Sequence, residues 1–255
     1  RNLGGGKFEN IADRIGVGKP SYTMGIGLAD LNGDDYPDVY ISNIVVMNKD
    51  EKYVLPSEAT VMKFDPETLA RMRVAEANDL FLSRTVDGKL VEYEQSELVG
   101  RGYGATGWSW GTAFFDMDND GDDDLYVVNG TNAYAVYGKE NPYYTNPSGE
   151  SMAVEFATWG GGTEVNMLFV NNDGRLNVLP NSGADLRGDG RSMVFADLDG
   201  DGRLDIVLNG FQEKAVVLKN TLPQAGNHWL AIRLVGDPRK GTSRDAIGAR
   251  IVVTA

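Results

Sequence analysis

The chain of 255 residues contains no cysteine and a single histidine, His228. The lack of cysteine excludes disulfide bonds, thiol catalysis and zinc sites built on cysteine. With one histidine, the chain offers no catalytic triad, no metal site built on histidines and no histidine relay. No apolar run approaches the roughly 18 residues of a membrane-spanning helix, so the sequence predicts none.

Basic residues are scarce relative to acidic ones. The chain has 24 Lys and Arg against 37 Asp and Glu, a net charge of -13 and a pI of about 4.5. Because affinity for phosphate needs a basic surface stripe, this balance argues against a nucleic-acid partner. Of the 37 carboxylates, 14 lie in three stretches of nine residues, and without them the net charge would be near +1. The acidity is therefore local.

These three stretches share one pattern, and we call them loop 1 (30–38), loop 2 (116–124) and loop 3 (197–205). Positions 1, 3, 5 and 9 carry Asp or Asn, and position 7 can offer its backbone carbonyl oxygen. Such a set suits Ca²⁺, which takes about six to eight oxygens in flexible geometry, better than Mg²⁺ with its small octahedral shell. The predicted ligands are Asp30, Asn32, Asp34, Tyr36 and Asp38; Asp116, Asp118, Asp120, Asp122 and Asp124; and Asp197, Asp199, Asp201, Arg203 and Asp205.

Solvated Asx-turns are the alternative interpretation of these acidic clusters. Carboxylates held so close repel one another unless a cation or protons intervene, which favours about three structural Ca²⁺ ions. Loop 1 has Asp35 at position 6, where the other two loops have glycine. Since glycine readily adopts a positive φ, we expect loop 1 to bind more weakly or to be wound differently.

The residues around the loops predict strands. An EF-hand would place a Glu at position 12 and continue into a helix, but position 12 is Ile41, Val127 and Leu208. Short apolar runs precede and follow each loop, as in a strand, loop, strand unit. Hairpins are predicted between the loops, through Asp87-Gly88 and through Asp173-Gly174.

Two strands at a metal loop and two at a hairpin make a four-stranded antiparallel blade, so the predicted fold is an all-β propeller fragment of about three blades. A helix is predicted after Asp65, which acts as its N-cap, and residues 138–162 are predicted to form a long loop. Three blades cannot close a ring, so either flanking sequence is missing or other chains cover the open strand edges; the second alternative predicts a homo-oligomer or filament. The start at Arg1, without an apolar leader, suggests a processed or truncated piece.

The loops and hairpins together resemble FG-GAP or VCBS repeats, the calcium-bearing propeller repeats also seen in integrin α-subunits. Residues 227–234 and 244–251 resemble the opening of the ASPIC-type domain found after such repeats in cartilage acidic protein and its bacterial relatives. The resemblance implies propeller repeats over 1–222, with a partial blade at 1–18 and blades at about 20–100, 101–183 and 184–222. It implies the start of a small β-rich domain over 227–255.

The expected function is a non-catalytic, calcium-binding module for adhesion, interaction or surface assembly, with a protein or glycan partner. Loops that lack the Glu at position 12 would fill at millimolar extracellular calcium, so we expect an extracellular, cell-surface or periplasmic location. The resemblance implies the same setting.

A secreted hydrolase or lyase acting on polysaccharide is the alternative. The acids outside the loops that would serve it are Glu92, Glu94, Glu97, Glu155 and Glu164. The glycine pattern at 102–107 matches the dinucleotide fingerprint, but the residues after it predict a strand where that fingerprint needs a helix, so no nucleotide cofactor is expected.

Overall fold

The computed structural model describes residues 1–18, 23–43, 78–96, 106, 109–130, 164–172, 174–211, 213–223, 226–249 and 251–253. Across these ranges the chain is built of strands, with one short 3-10 helix at Pro238–Lys240. The predicted helix after Asp65 and the predicted loop at 138–162 lie outside the described residues. In the described ranges, no helix has the length and apolar character needed to cross a membrane.

Fifteen strands are present in the described ranges. They are β1 (Asn2–Gly4), β2 (Lys7–Phe8), β3 (Thr23–Ala29), β4 (Asp38–Asn43), β5 (Asp79–Val86), β6 (Lys89–Ser96), β7 (Ser109–Phe115), β8 (Asp124–Asn129), β9 (Glu164–Val165), β10 (Met167–Asn172), β11 (Arg175–Val178), β12 (Arg187–Gly188), β13 (Gly190–Ala196), β14 (Asp205–Gly210) and β15 (Val216–Leu218).

Three antiparallel sheets carry the architecture. The first sheet has the order β3-β4-β5-β6, the second β7-β8-β10-β11 and the third β13-β14-β15. Strands β1 and β2 form a hairpin, and β9 pairs with β12. In all three sheets the acidic loop joins the first strand to the second, so the predicted strand, loop, strand unit is confirmed. The predicted hairpins are confirmed as β5–β6 and β10–β11.

The first and second sheets pack face to face through one apolar cluster. Tyr40 and Leu80 of the first sheet are buried together with Leu125, Val127 and Phe169 of the second. Full burial of an aliphatic or aromatic side chain of this size stabilises a fold by about 1.5–3 kcal/mol. This contact is therefore a main source of stability for the pair of sheets.

A second cluster joins the second and third sheets. Tyr126 of the second sheet is buried with Ile206 and Leu208 of the third. Phe115, which ends β7, stacks on Phe195 near the end of β13, with 4.0 Å between ring centroids. The three sheets thus form a stack in which the second sheet has a neighbour on both faces.

Glycines let the first strands of adjacent sheets lie close together. A Cβ at Gly25 would stand 2.6 Å from the carbonyl oxygen of Trp110, and one at Gly27 would stand 3.1 Å from the ring of Phe114. Because residue numbers rise on both strands from the first contact to the second, β3 and β7 run in the same direction. Gly111 contacts Ser192 and Phe115 contacts Phe195, so β7 and β13 also run in the same direction. All three loops therefore emerge at the same end of the stack.

The outer face of the first sheet is apolar and exposed. Met24, Ile26 and Leu28 of β3 are 42%, 61% and 58% exposed. Phe114 is the equivalent of Leu28 in the second sheet, two residues before position 1 of its loop, and its side chain packs against the first sheet. The exposed face of the first sheet therefore corresponds to the face that the second sheet packs against the first.

The C-terminal residues do not form the expected β structure. Within 226–249 and 251–253 there is no strand, and the regular element is the 3-10 helix Pro238–Lys240. Apolar side chains such as Leu230 and Val235 are exposed. A strand needs a hydrogen-bonded neighbour, and the described part of the chain provides none for this segment.

Candidate metal centres

The aspartate at position 1 organises all three loops in the same way. One of its carboxylate oxygens accepts the backbone N–H of position 5, and the other accepts that of position 6. The distances are 3.1 and 2.8 Å for Asp30 with Asp34 and Asp35, 3.2 and 3.1 Å for Asp116 with Asp120 and Gly121, and 3.1 and 3.0 Å for Asp197 with Asp201 and Gly202. The three loops therefore have one winding.

The aspartate at position 5 accepts the N–H of position 7 in each loop. These bonds measure 3.0 Å for Tyr36, 2.9 Å for Asp122 and 3.1 Å for Arg203. These hydrogen bonds fold the backbone back towards the carboxylates. The side chains at positions 1, 3 and 5 are therefore held around a common centre. This arrangement is typical of a loop that wraps a cation.

Left-handed residues at positions 4 and 6 make this winding possible. Position 6 has a φ of 96° at Gly121, 85° at Gly202 and 69° at Asp35. Of the two expectations for loop 1, the different winding is therefore wrong, and weaker binding stays a prediction. Asp35 takes up the positive φ, which short polar side chains tolerate better than most, at a cost that glycine would avoid.

The aspartate at position 9 joins its loop to the third strand of the sheet or, in the third sheet, to Asn220 just after that strand. Asp38 accepts the N–H of Leu31 (2.7 Å) and of Ser83 (2.6 Å). The corresponding donors are Met117 (2.9 Å) and Asn171 (2.8 Å) for Asp124, and Leu198 (3.2 Å) and Asn220 (2.8 Å) for Asp205.

All three position 9 aspartates are almost fully buried, at 0%, 2% and 3% exposure for Asp38, Asp124 and Asp205. Each therefore holds together a loop and two strands, whether or not it also binds a metal. The sequence reading missed the donors Ser83, Asn171 and Asn220. For Ser83 and Asn171, the signal that could have found them is a small polar residue directly after the apolar run of a third strand.

Carboxylate oxygens converge in loops 2 and 3. One oxygen each from Asp116, Asp118 and Asp120 lie within 4.8 Å of one another, and the same holds for Asp197, Asp199 and Asp201. In loop 2, two unit charges 4.8 Å apart repel by about 3.5 kcal/mol at an effective dielectric constant of about 20, and closer oxygens repel more strongly. A divalent cation at the centre would convert this repulsion into attraction.

Loop 1 uses an amide in place of the middle carboxylate. The Asn32 amide nitrogen donates to the Ser83 carbonyl oxygen (2.8 Å), while its oxygen accepts the N–H of Asp34 (3.1 Å). The Ser83 hydroxyl donates to the Asp34 carboxylate (2.9 Å). The amide is thus fixed with its oxygen on the loop side, which is the orientation a metal ligand needs.

Burial changes the acidity of several loop carboxyls. It raises the pKa of Asp124 to about 7, against the opposing hydrogen bonds from Asn171 and Met117. Burial, with smaller contributions from neighbouring carboxylates, also raises the pKa of Asp118 and Asp123, and among the neighbours of Asp123 is Asp30 of loop 1. Loops 1 and 2 therefore share one electrostatic environment, which favours any added positive charge.

Loop 3 already has positive charge at its carboxylates. Lys219 Nζ forms an ion pair with Asp199 and lies 3.7 Å from Asp201 Oδ2, while Arg203 Nη2 forms an ion pair with Asp201. The hydrogen bond from Lys219 lowers the pKa of Asp199. Loop 3 thus differs from loop 2, whose carboxylates form no ion pair within the described part of the chain.

Loops 2 and 3 contact each other and the C-terminal segment. The Asn119 amide donates to the Gly202 carbonyl oxygen (3.2 Å), and the Asn227 amide donates to the Asp118 carbonyl oxygen (3.1 Å). The indole of Trp229 lies against Gly202, where an added Cβ would fall 2.0 Å from Nε1. The segment after the third sheet therefore rests on both loops.

Three of the acids predicted for the enzyme alternative, Glu92, Glu94 and Glu164, lie among the described residues. Glu92 and Glu94 both face Arg84, and the Glu94 Oε1 to Arg84 Nε distance is 3.3 Å. Glu164 lies in β9, away from that pair in the chain. Glu97 and Glu155 lie outside the described residues, as does most of the 102–107 glycine pattern, which leads into the strand β7 as expected.

Comparison with known families adds one match. Residues 152–208 match the family model of the FG-GAP-like repeat. The matched range runs through β10, β11 and β13 and includes loop 3. No curated protein matches the chain. The FG-GAP-like repeat supports the resemblance on which the fold was predicted, whereas the resemblance of 227–255 to an ASPIC-type domain gains no support.

Proposed function

We propose that this chain is a calcium-stabilised β-propeller module of an extracellular, cell-surface or periplasmic protein, and that it acts in adhesion, interaction or assembly without catalysis. The observation that carries the proposal is the identical hydrogen-bonded winding of three acidic loops, each joining the first two strands of its sheet. The FG-GAP-like repeat at 152–208 supports an extracellular propeller-type module.

Calcium would act on structure in this proposal. The ligands would be the side chains at positions 1, 3, 5 and 9 and the carbonyl oxygens of Tyr36, Asp122 and Arg203 at position 7. Since all three loops emerge at one end of the stack, the ions would stiffen that end and reduce its negative charge. A rigid end of this kind can present a constant surface to a protein or glycan.

A calcium titration tests the proposal. Calorimetry with metal analysis should give about three Ca²⁺ per chain, and a chelator should lower the melting temperature. Asp116→Asn combined with Asp118→Asn should remove one ion, because the convergent carboxylates of loop 2 are then reduced to one. Asp87→Asn, an exposed aspartate in the β5–β6 turn, is the matched control and should leave the stoichiometry unchanged.

Two results would contradict this function. One is the absence of calcium binding at millimolar concentration together with a melting temperature that chelation does not change. The other is turnover of a glycan substrate by the wild-type chain that is lost on replacing Glu92 or Glu94, which would favour the polysaccharide-acting enzyme.

The exposed face of the first sheet supports self-association as the mode of assembly. Met24, Ile26 and Leu28 form an apolar row on β3, and burying it against a second copy would remove that area from water. Light scattering after size exclusion should give an oligomer for the wild type and a monomer for Ile26→Asp. A calcium-saturated wild-type monomer at high concentration would contradict this mode.

A further inference from the structure

Lys219 stands at a position that is apolar in the other two sheets. The N–H groups of Ser83, Asn171 and Asn220 all bind the position 9 aspartate of their sheets, so these three residues are structurally equivalent. The residues directly before them are Leu82, Val170 and Lys219. Leu82 and Val170 pack against the two apolar clusters.

Lys219 instead reaches loop 3. Its ammonium forms an ion pair with the position 3 carboxylate, Asp199, and lies 3.7 Å from the position 5 carboxylate, Asp201. The side chain remains 55% exposed, so it can leave for solvent without breaking a packed contact.

Arg203 adds a second positive charge from position 7 of loop 3. Its Nη2 binds Asp201, and its Nε donates to the Asn220 carbonyl oxygen (3.1 Å), which holds the guanidinium beside the loop. The equivalent residues in loops 1 and 2 are Tyr36 and Asp122. Loop 3 therefore combines four carboxylates with two basic groups, whereas loop 2 has six carboxylates and no ion pair within the described ranges.

We propose that the Lys219 ammonium competes with the divalent cation at loop 3, which makes loop 3 the weak and exchangeable calcium site and loop 2 a tight one. The proposal rests on calcium binding as the proposed function. The ammonium contacts two of the carboxylates that would ligate the ion, so the ion must displace it to bind. Loop 3 then fills only when the calcium concentration is high.

Trp229 provides a local reporter for this exchange. Its indole lies against Gly202, the position 6 residue of loop 3, and the nearby Asn227 binds the backbone of loop 2. Because a change at Gly202 alters the surroundings of the indole, the emission of Trp229 should follow the filling of loop 3. The difference between wild type and Trp229→Phe isolates this signal from that of the other three tryptophans.

The experiment is a Ca²⁺ titration of wild type, Lys219→Gln and Lys214→Gln by calorimetry and by tryptophan emission. Lys214 is an exposed lysine between β14 and β15 and serves as the matched control. Wild type should show a weak class of site that alone changes the Trp229 signal. Lys219→Gln should tighten that class about tenfold, which corresponds to about 1.4 kcal/mol, and leave the tight class unchanged. Lys214→Gln should behave as wild type.

The proposal is overturned if Lys219→Gln leaves the weak constant unchanged, or if the Trp229 signal saturates with the tight class. In either case calcium still binds and the proposed function stands. An absence of calcium binding in all three proteins overturns both. Melting curves with chelator should give equal stability for the two lysine variants, which shows that the substitutions act on binding.

Discussion

Replacing Asp205 by alanine should destabilise the protein even when no calcium is available. The Asp205 carboxylate is 3% exposed and accepts the N–H groups of Leu198 (3.2 Å) and Asn220 (2.8 Å). Alanine removes two part-buried hydrogen bonds to a charged acceptor, and each such bond contributes about 1–3 kcal/mol. The expected loss in the free energy of unfolding is therefore about 2–6 kcal/mol.

The assay is a melting curve in excess chelator. One kcal/mol shifts the melting temperature of a domain of this size by about 2–4 °C, so Asp205→Ala should melt at least about 4 °C below wild type. Asp199→Asn, in the same loop, is the comparison. Its side chain is exposed and its partner is Lys219, an exposed ion pair of small value, so its melting temperature in chelator should stay close to wild type.

Adding calcium should reveal an effect of Asp199→Asn on the melting temperature that is absent in chelator. Asp199→Asn removes a predicted ligand and should lose part of the stabilisation that calcium gives, although it is stable without the ion. The reasoning is refuted if Asp205→Ala melts with wild type in chelator, or if Asp199→Asn is the more destabilised of the two. Either result would mean that the hydrogen bonds of the position 9 carboxylate do not support the fold in the way expected for Asp205.

Three further predictions follow from the same contacts. Because burial raises the pKa of Asp124 to about 7, the metal-free folded protein keeps a proton that the unfolded chain releases above its ordinary pKa of 3.8. A pH series of melting curves in chelator should therefore show stability falling from about pH 4 to about pH 7. Asp124→Asn should weaken this dependence, and the raised pKa values of Asp118 and Asp123 should account for part of the remainder. Gly202→Ala should cost about 1–2 kcal/mol because φ is 85° there, and it should change the emission of Trp229; unchanged emission would contradict the contact. Tyr126→Phe removes the hydrogen bond to the Ala184 carbonyl oxygen and should cost about 1 kcal/mol in urea unfolding, with calcium stoichiometry unaffected.

The parts of the fold that could be predicted from the sequence are those with local signals. The short apolar runs beside loop 1 predicted β3 and β4, and the Asp87-Gly88 turn predicted the hairpin of β5 and β6, because strand composition and turn chemistry act within a few residues. The winding of loop 1 could not be predicted. Asp35 adopts the left-handed conformation because Asp30 accepts its N–H while Asp34 accepts the N–H of Tyr36, the residue that follows it.

The long-range hydrogen-bond partners of the loops could not be predicted from the sequence for a different reason. Ser83 is 45 residues from Asp38, and Asn171 is 47 residues from Asp124, so their pairing depends on strand register across the sheet. The role of Lys219 also depends on strand register. Asn220, the next residue, binds Asp205 as Ser83 binds Asp38, and only these bonds show that Lys219 is equivalent to the apolar residue before Ser83.

The hydrogen bonds inside the loops also bear on how calcium would act. The carboxylates at positions 1, 5 and 9 are fixed by backbone N–H groups of the chain itself, and the position 9 carboxylate is buried between two strands. Small zinc domains fold only with their metal because their ligands are held by little else. Here the sheets pack through their own apolar clusters, so chelation should lower the melting temperature while the far-ultraviolet circular dichroism of the strands persists at room temperature. Loss of that signal on adding chelator would show that the loops, and with them the sheets, depend on the ion to fold.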